Sequence, residues 1–240
     1  MTIARHPSEE LMLAHAAGGL DPATALAIET HLALCPACRA DAATMDAVGG
    51  ALLQDIAPVA MAEGALDALF ARIDAEPVRR RRATPPELAV LPAPLRPVAA
   101  EALKGGRWRT LTPGIRALDL PLGGPDGAGG EGSVQLLRLK PGRGVPRHTH
   151  EGHELTLVIQ GAFRDETGRY GIGDFILCGP EDTHRPVAEP GPVCLALAVT
   201  DAPLRLSGVL GLVQRAFSRE SHADESYSRD LRLSPAGGKS

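Results

Sequence analysis

Two short stretches carry residues able to bind a metal. The first is HLALCPAC, residues 31–38, in which His31, Cys35 and Cys38 follow a His-x3-Cys-x2-Cys spacing. On a helix His31 and Cys35 lie one turn apart, so their side chains point the same way. Pro36 biases Cys35 away from helical geometry and starts a new helix, with Cys38 in its first turn. The corner gathers one imidazole and two thiolates, three of the four ligands of a tetrahedral zinc site. His6 and His15 are candidates for the fourth. His6 is preferred, because it lies just before the first helix, where irregular backbone can reach the corner; His15 sits mid-helix at a packing position. A redox C-x-x-C pair would want a βαβ setting, which this helical segment lacks. Two buried structural cysteines would leave the aligned His31 unexplained.

The second stretch is GRGVPRHTHEGHELTLVIQG, residues 142–161. Alternate residues of an extended segment face the same side, so His148 and His150 look into one interior. Glu154 follows at even separation and can join them. His153 has the wrong parity and reads as a bystander on a turn, and Glu151 points away. Imidazole with one carboxylate suits Zn, Mn, Fe or Ni. Such a site serves either an oxygenase or a closed, unreactive zinc centre. Without a metal, the same histidines would be polar filler.

Different elements must position the two stretches. Residues 1–76 are helical in pattern: a short helix ended by Gly18-Gly19, a second opened by Asp21-Pro22, a third from about Pro36 to Ile56, and a fourth near 62–75. In the fourth, Leu66, Leu69, Phe70 and Ile73 follow i, i+3, i+4 and i+7. Such a stripe usually belongs to a core; three short helices leave this one little core to join, and packing on a partner is the alternative. Residues 77–100 have linker composition, with a basic run at Arg79–Arg82 and prolines at 85, 86, 92, 94 and 97. From about 101 to 200, apolar runs such as Val134–Leu139, Leu155–Ile159, Phe175–Cys178 and Val193–Val199 alternate with Gly/Pro turns, the mark of a sandwich or barrel. Leu206, Val209, Leu210, Val213 and Phe217 follow a helical period, so a closing helix is expected up to 217. The polar tail 218–240 is expected to be disordered.

Charge is uneven. Residues 1–77 hold 11 acidic and 3 basic residues, whereas the chain as a whole has a formal charge of −4. An acidic front end suits a basic protein partner and opposes a phosphate backbone, so no direct nucleic-acid binding is expected. The arginine run is better explained as solvated linker. With 3% aromatic residues, the core is built from Leu, Val, Ala and Ile. The N-terminus shows no signal-peptide pattern. No apolar stretch approaches the roughly 20 residues that span a bilayer. Four cysteines are too few for a disulfide framework, and the cytoplasm is the expected compartment. Cys178 and Cys194 fall on β segments. They fit small core residues, with a thiol that takes part in sensing as the sharper alternative.

With these residues in view, two resemblances emerge. The HLALCPAC string, the upstream His6 and the short acidic helices resemble the zinc-containing anti-sigma domain, which blocks an extracytoplasmic-function sigma factor from RNA polymerase. Carried over by position, that resemblance implies His6, His31, Cys35 and Cys38 as zinc ligands. The Gly142-x5-His148-x-His150-x3-Glu154-x6-Gly161 pattern resembles the first cupin motif. A partial second motif at Gly173, Gly179, Glu181, His184 and Ala188 keeps its leading glycine and its histidine, but lacks the proline, second glycine and asparagine. It implies His184 as the fourth ligand beside His148, His150 and Glu154, inside a double-stranded β-helix.

Together the two parts resemble the ChrR-type anti-sigma factors. The fold implied is multidomain α + β: a zinc-bearing helical bundle over 1–76, a linker over 77–100, and a cupin jelly-roll barrel over 101–217. The function implied is inhibition of a sigma factor by the helices, and sensing of singlet oxygen or organic hydroperoxide by the barrel. Two zinc ions per chain are implied, the barrel metal being less defined. No nucleophile–base arrangement or nucleotide loop accompanies the metal ligands, so a regulator and not an enzyme is expected. The alternative is a metal-dependent cupin dioxygenase or isomerase carrying a zinc docking module.

Overall fold

The computed structural model describes residues 2–75, 85, 88–106, 108–122 and 132–202, together with the backbone of 204–206. Four helices come first: α1 (Glu9–Ala16), α2 (Pro22–Leu34), α3 (Pro36–Gln54) and α4 (Ala65–Ala75). Their ends follow local chemistry. Ser8 caps α1 by accepting from the Leu11 amide, and Asp21 accepts from the Ala23 and Thr24 amides ahead of Pro22. Pro36 forces Cys35 into extended backbone, φ −106° and ψ 106°, so α2 stops and α3 begins across one residue.

The stretch expected to be linker through residue 100 is corrected in its second half. A fifth helix, α5 (Leu95–Gly105), buries Leu95, Ala99 and Ala102, and Leu88 and Leu91 just before it are also buried. Prolines 94 and 97 lie at its cap and in its first turn, where a missing amide hydrogen costs nothing. The Arg79–Arg82 run lies outside the described residues.

The strands that follow are β1 (Arg109–Thr112), β2 (Ile115–Asp119), β3 (Ser133–Leu139), β4 (His148–His150), β5 (Glu154–Gln160), β6 (Ala162–Asp165), β7 (Gly168–Gly171), β8 (Phe175–Cys178), β9 (Thr183–His184), β10 (Val187–Ala188), β11 (Cys194–Thr200) and β12 (Leu204–Leu206). All described pairings are antiparallel. One sheet runs β1-β2-β3-β11-β5-β8, and two three-stranded sheets run β10-β6-β7 and β12-β4-β9. This is the cupin fold expected from the sequence. Where a closing helix was expected, Leu204–Leu206 instead pairs with β4, opposite His150, Thr149 and His148. The rest of the expected helix, and the tail from 218, lie outside the described residues.

The large sheet is covered on both faces. Leu195, Leu197 and Val199 of β11, with Leu155, Leu157 and Ile159 of β5, belong to one cluster with Ala23, Leu26 and Ala27 of α2 and Leu95 of α5. The alternate residue Cys194 packs with Ile115, Leu139, Val158 and Phe163 in a second cluster inside the barrel. This two-sided cover explains why all seven residues of β11 are buried. It also places Glu154, in phase with Val158, on the interior face.

Strand β8 is the last of the large sheet. The N-terminal segment lies against its start: the Phe175 amide donates to Arg5 O at 3.1 Å. Asp174 Oδ1 accepts from the Ala4 and Arg5 amides at 2.8 and 3.0 Å. Gly173, at φ +87°, allows this approach, since a β-carbon there would collide with Ile3.

Candidate metal centres

The helical corner forms as the spacing predicts. His6 Nδ1 lies 3.2 Å from Cys38 Sγ and 3.5 Å from Cys35 Sγ, and His31 Nε2 lies 3.3 Å from Cys38 Sγ. The four ligand atoms fall within 4.8 Å of one another. Zinc bonds of about 2.0–2.3 Å in a tetrahedron separate ligand atoms by roughly 3.5 Å, so this donor set fits the ion. Gly173 O accepts from His31 Nδ1 at 2.8 Å, which leaves Nε2 free to ligate. His31, Cys35 and Cys38 are buried, whereas His6 is the exposed member. His15 does not join them.

Electrostatics agree with a cation at this corner. Burial, and then the neighbouring Cys35, push the Cys38 thiol up to about 12. Two thiols this close become thiolates only with a positive ion between them. Burial lowers the pKa of His31, keeping the imidazole in the neutral form that ligates.

The barrel cluster draws on three elements. His148 and His150 stand two apart on β4, His184 on β9 pairs directly with His148, and Glu154 opens β5. All four are buried, and their ligand atoms again lie within 4.8 Å of one another. Glu154 Oε2 is 2.7, 3.5 and 3.8 Å from Nε2 of His150, His148 and His184. Burial alone would raise the Glu154 carboxyl, but hydrogen bonds from the three histidines hold it well below the usual carboxylate range. Nδ1 of His148 donates to Pro146 O at 2.9 Å, and Nδ1 of His184 to Asp165 Oδ2 at 3.2 Å. With Nδ1 held by these acceptors, both Nε2 atoms turn inward, 3.0 Å apart and toward Glu154. A cation in place of their protons would be met by the imidazole nitrogens and the carboxylate together, so this donor set also fits a metal. His153 points outward and pairs with Asp201.

Asp165 is the site residue that sequence reasoning missed. Its side chain is buried and also accepts from the Thr167 hydroxyl at 2.7 Å. Burial would raise its carboxyl, but the Thr167 bonds and His184 keep it lowered. A carboxylate behind a metal-binding imidazole fixes the tautomer and the ring orientation. In sequence Asp165 stands in an ordinary hairpin turn, DETG, with no signal beyond turn composition.

A third feature lies outside both clusters. The end of α3, the turn after it and α4 leave Leu52, Leu53, Ile56, Leu66, Leu69, Phe70 and Ile73 exposed. The expected apolar stripe of α4 has no cover among the described residues, and exposed apolar patches of this kind mark protein-binding surfaces.

Comparisons with known proteins match both parts. Residues 101–202 match the family described as the ChrR cupin-like domain, and residues 8–39 match a putative zinc-finger family. The anti-sigma-E factor ChrR of Cereibacter sphaeroides is 46% identical over 222 residues, covering 91% of this chain and 100% of that protein. The crystal structure of Rhodobacter sphaeroides SigE in complex with the anti-sigma ChrR superposes with a TM-score of 0.67 at 45% identity, covering 83% of this chain and 100% of the matched one. Among the described residues, no helix is long and apolar enough to cross a membrane.

Proposed function

The chain belongs to the ChrR family of anti-sigma factors, and on that premise we propose that it holds an extracytoplasmic-function sigma factor inactive and releases it when the barrel registers an oxidant. The observation that carries this reading is the bare apolar face of α3 and α4, continuous in sequence with a metal corner that fixes where α3 begins. Three acidic residues of the helical part, Glu9, Glu10 and Asp41, line a groove of about 770 Å³ between α1 and α3 and suit a basic partner surface.

The corner of His6, His31, Cys35 and Cys38 would hold zinc in a structural role. Two thiolates and two imidazoles close the tetrahedron and leave no coordination position for a substrate. Its work here is to lock the turn between α2 and α3, so that the helices present one surface. His148, His150, Glu154 and His184 would hold the second metal, zinc in our reading, which supplies a charged centre whose ligands an oxidant can disturb. Singlet oxygen and organic hydroperoxides are the signals this reading assigns to the barrel. Asp165 holds His184 in the ligating tautomer. The interior cavity beside these ligands is about 50 Å³, whereas pockets for organic substrates run to roughly 300 Å³ or more. That supports a regulator over an enzyme. A partner that must be kept from RNA polymerase assigns the chain to the cytoplasm.

The test is transcription by core RNA polymerase and the cognate sigma factor, with and without the full zinc-loaded chain. The expected result is stoichiometric inhibition that is lost on chelation. Undiminished transcription with the loaded chain present would refute the reading.

A further inference from the structure

The two metal clusters sit on different parts of the fold, yet one segment of the barrel, Arg169–Phe175, touches the supports of both. On the helical side, Gly173 O accepts from His31, itself a member of the corner. Asp174 Oδ1 holds the amides of Ala4 and Arg5, while its Oδ2 holds the Gly171 amide at 2.7 Å. Phe175 donates to Arg5 O and meets the His31 ring edge-on at 5.8 Å between centroids. The Arg5 guanidinium lies 4.3 Å from the centre of the Tyr170 ring and donates to Arg169 O at 3.3 Å. The residue after Arg5 is His6, the exposed ligand of the corner.

On the barrel side, the Thr167 hydroxyl donates its one proton to Asp165, so its bond with the Tyr170 hydroxyl is donated by the tyrosine. Asp165 in turn receives His184 Nδ1. A continuous path therefore runs from His184 through Asp165, Thr167 and Tyr170 to Arg5. Each link is a directed hydrogen bond or a cation over a ring; Tyr170 and His184 are buried, while Thr167 carries the path across the surface of the turn.

We propose that this path couples the two centres: filling of the barrel cluster holds Tyr170 beneath Arg5, which keeps the strap Ile3–His6 seated and His6 on the corner metal. The inference rests on the reading that both clusters bind metal, and it adds how the state of one reaches the other. When His184 loses its metal partner, Asp165 no longer has a fixed imidazole to hold, and the Asp165–Tyr170 turn is free to relax. The strap then loses its cation–ring contact. His6 is the one exposed ligand of the corner, so it is the first to leave. Coupling between sites is reciprocal, so a metal in the corner must also tighten binding in the barrel.

Cobalt provides the test, because only the corner contains sulfur. In the full chain loaded with Co(II), the thiolate-to-cobalt charge-transfer band reports Cys35 and Cys38 alone. The rate at which excess EDTA abolishes that band is measured with an intact barrel site and with Glu154→Ala, which empties the barrel by removing a ligand that is not itself a link from His184 to Arg5. Emptying the barrel is expected to speed loss of the band by about fivefold or more, the lower end of typical coupling between sites. In Tyr170→Phe and Arg5→Ala chains, each cut at a different link, the band should be lost quickly with either barrel, and Glu154→Ala should add nothing further. Equal rates with full and empty barrels in the otherwise unchanged protein would overturn the coupling. So would an undiminished effect of Glu154→Ala in both path variants. A chain that binds cobalt without ever showing the thiolate band would overturn the reading of the corner itself, and the coupling with it.

Discussion

Phe70 offers the sharpest separation between binding and stability. It is 55% exposed at the centre of a stripe with Leu66 at 60%, Leu69 at 48% and Ile73 at 57%. A free Phe side chain presents roughly 200 Å² of surface, so about 110 Å² of this one remains to be covered by a partner. At about 25 cal/mol per Å², covering it is worth roughly 2.7 kcal/mol. Side-chain ordering and imperfect fit reduce this to about 2 kcal/mol. Phe70→Ala should therefore weaken sigma-factor binding by about 30-fold. Because α4 buries none of its residues, the same change should move folding stability by less than about 0.5 kcal/mol. Titration calorimetry against the cognate sigma factor, paired with thermal unfolding of the free chain, reads both quantities. Binding within twofold of the parent would remove the α4 face from the interface. A matching fall in unfolding temperature would show that Phe70 supports the fold instead.

Other outcomes follow from the same geometry. Cys35→Ser or Cys38→Ser should lower the metal content by one ion per chain and abolish sigma binding, by elemental analysis and gel filtration of the mixture. Glu154→Ala should remove the barrel metal and, with zinc in excess to keep the corner filled, leave sigma affinity without oxidant within about threefold, while a sigma-dependent reporter loses its response to singlet oxygen; retained induction would end the sensing role of the barrel. Leu197→Ala, at a fully buried position between two strands, should destabilise the chain by about 3 kcal/mol in denaturant titration. Burial pushes the thiols of Cys178 and Cys194 up to about 12, so at pH 8 both remain protonated. Neither should be alkylated by iodoacetamide in the native chain, and both should be alkylated in denaturant, by mass spectrometry.

Much of this was legible in the residues themselves. Three of the four candidate ligands in each cluster lie close in sequence, and the helical turn and the strand alternation dictate their directions. That is why His31 with Cys35, and His148 with His150, could be paired before any fold was known. Helix α5 was legible too, since Leu95, Val98, Ala99 and Ala102 follow the helical period. It was masked by prolines that the first turn of a helix accepts. Leu204–Leu206 is too short to show a period, and its pairing with β4 is a long-range event. The same limit hid Asp165 and Asp174. Each is an acidic residue of a turn, and its partner lies 19 or about 170 positions away. No local pattern records such a meeting.

The seating of Arg5 against Phe175 has a consequence apart from metal. Strand β8 ends the large sheet, and an uncovered strand edge is a template on which a second chain can pair. The Ala4–Arg5 segment thus covers the start of that edge, at Phe175. A chain shortened by its first five residues would fail in two unrelated ways. His6 would become a floating terminus, and β8 would open to self-association that grows with concentration.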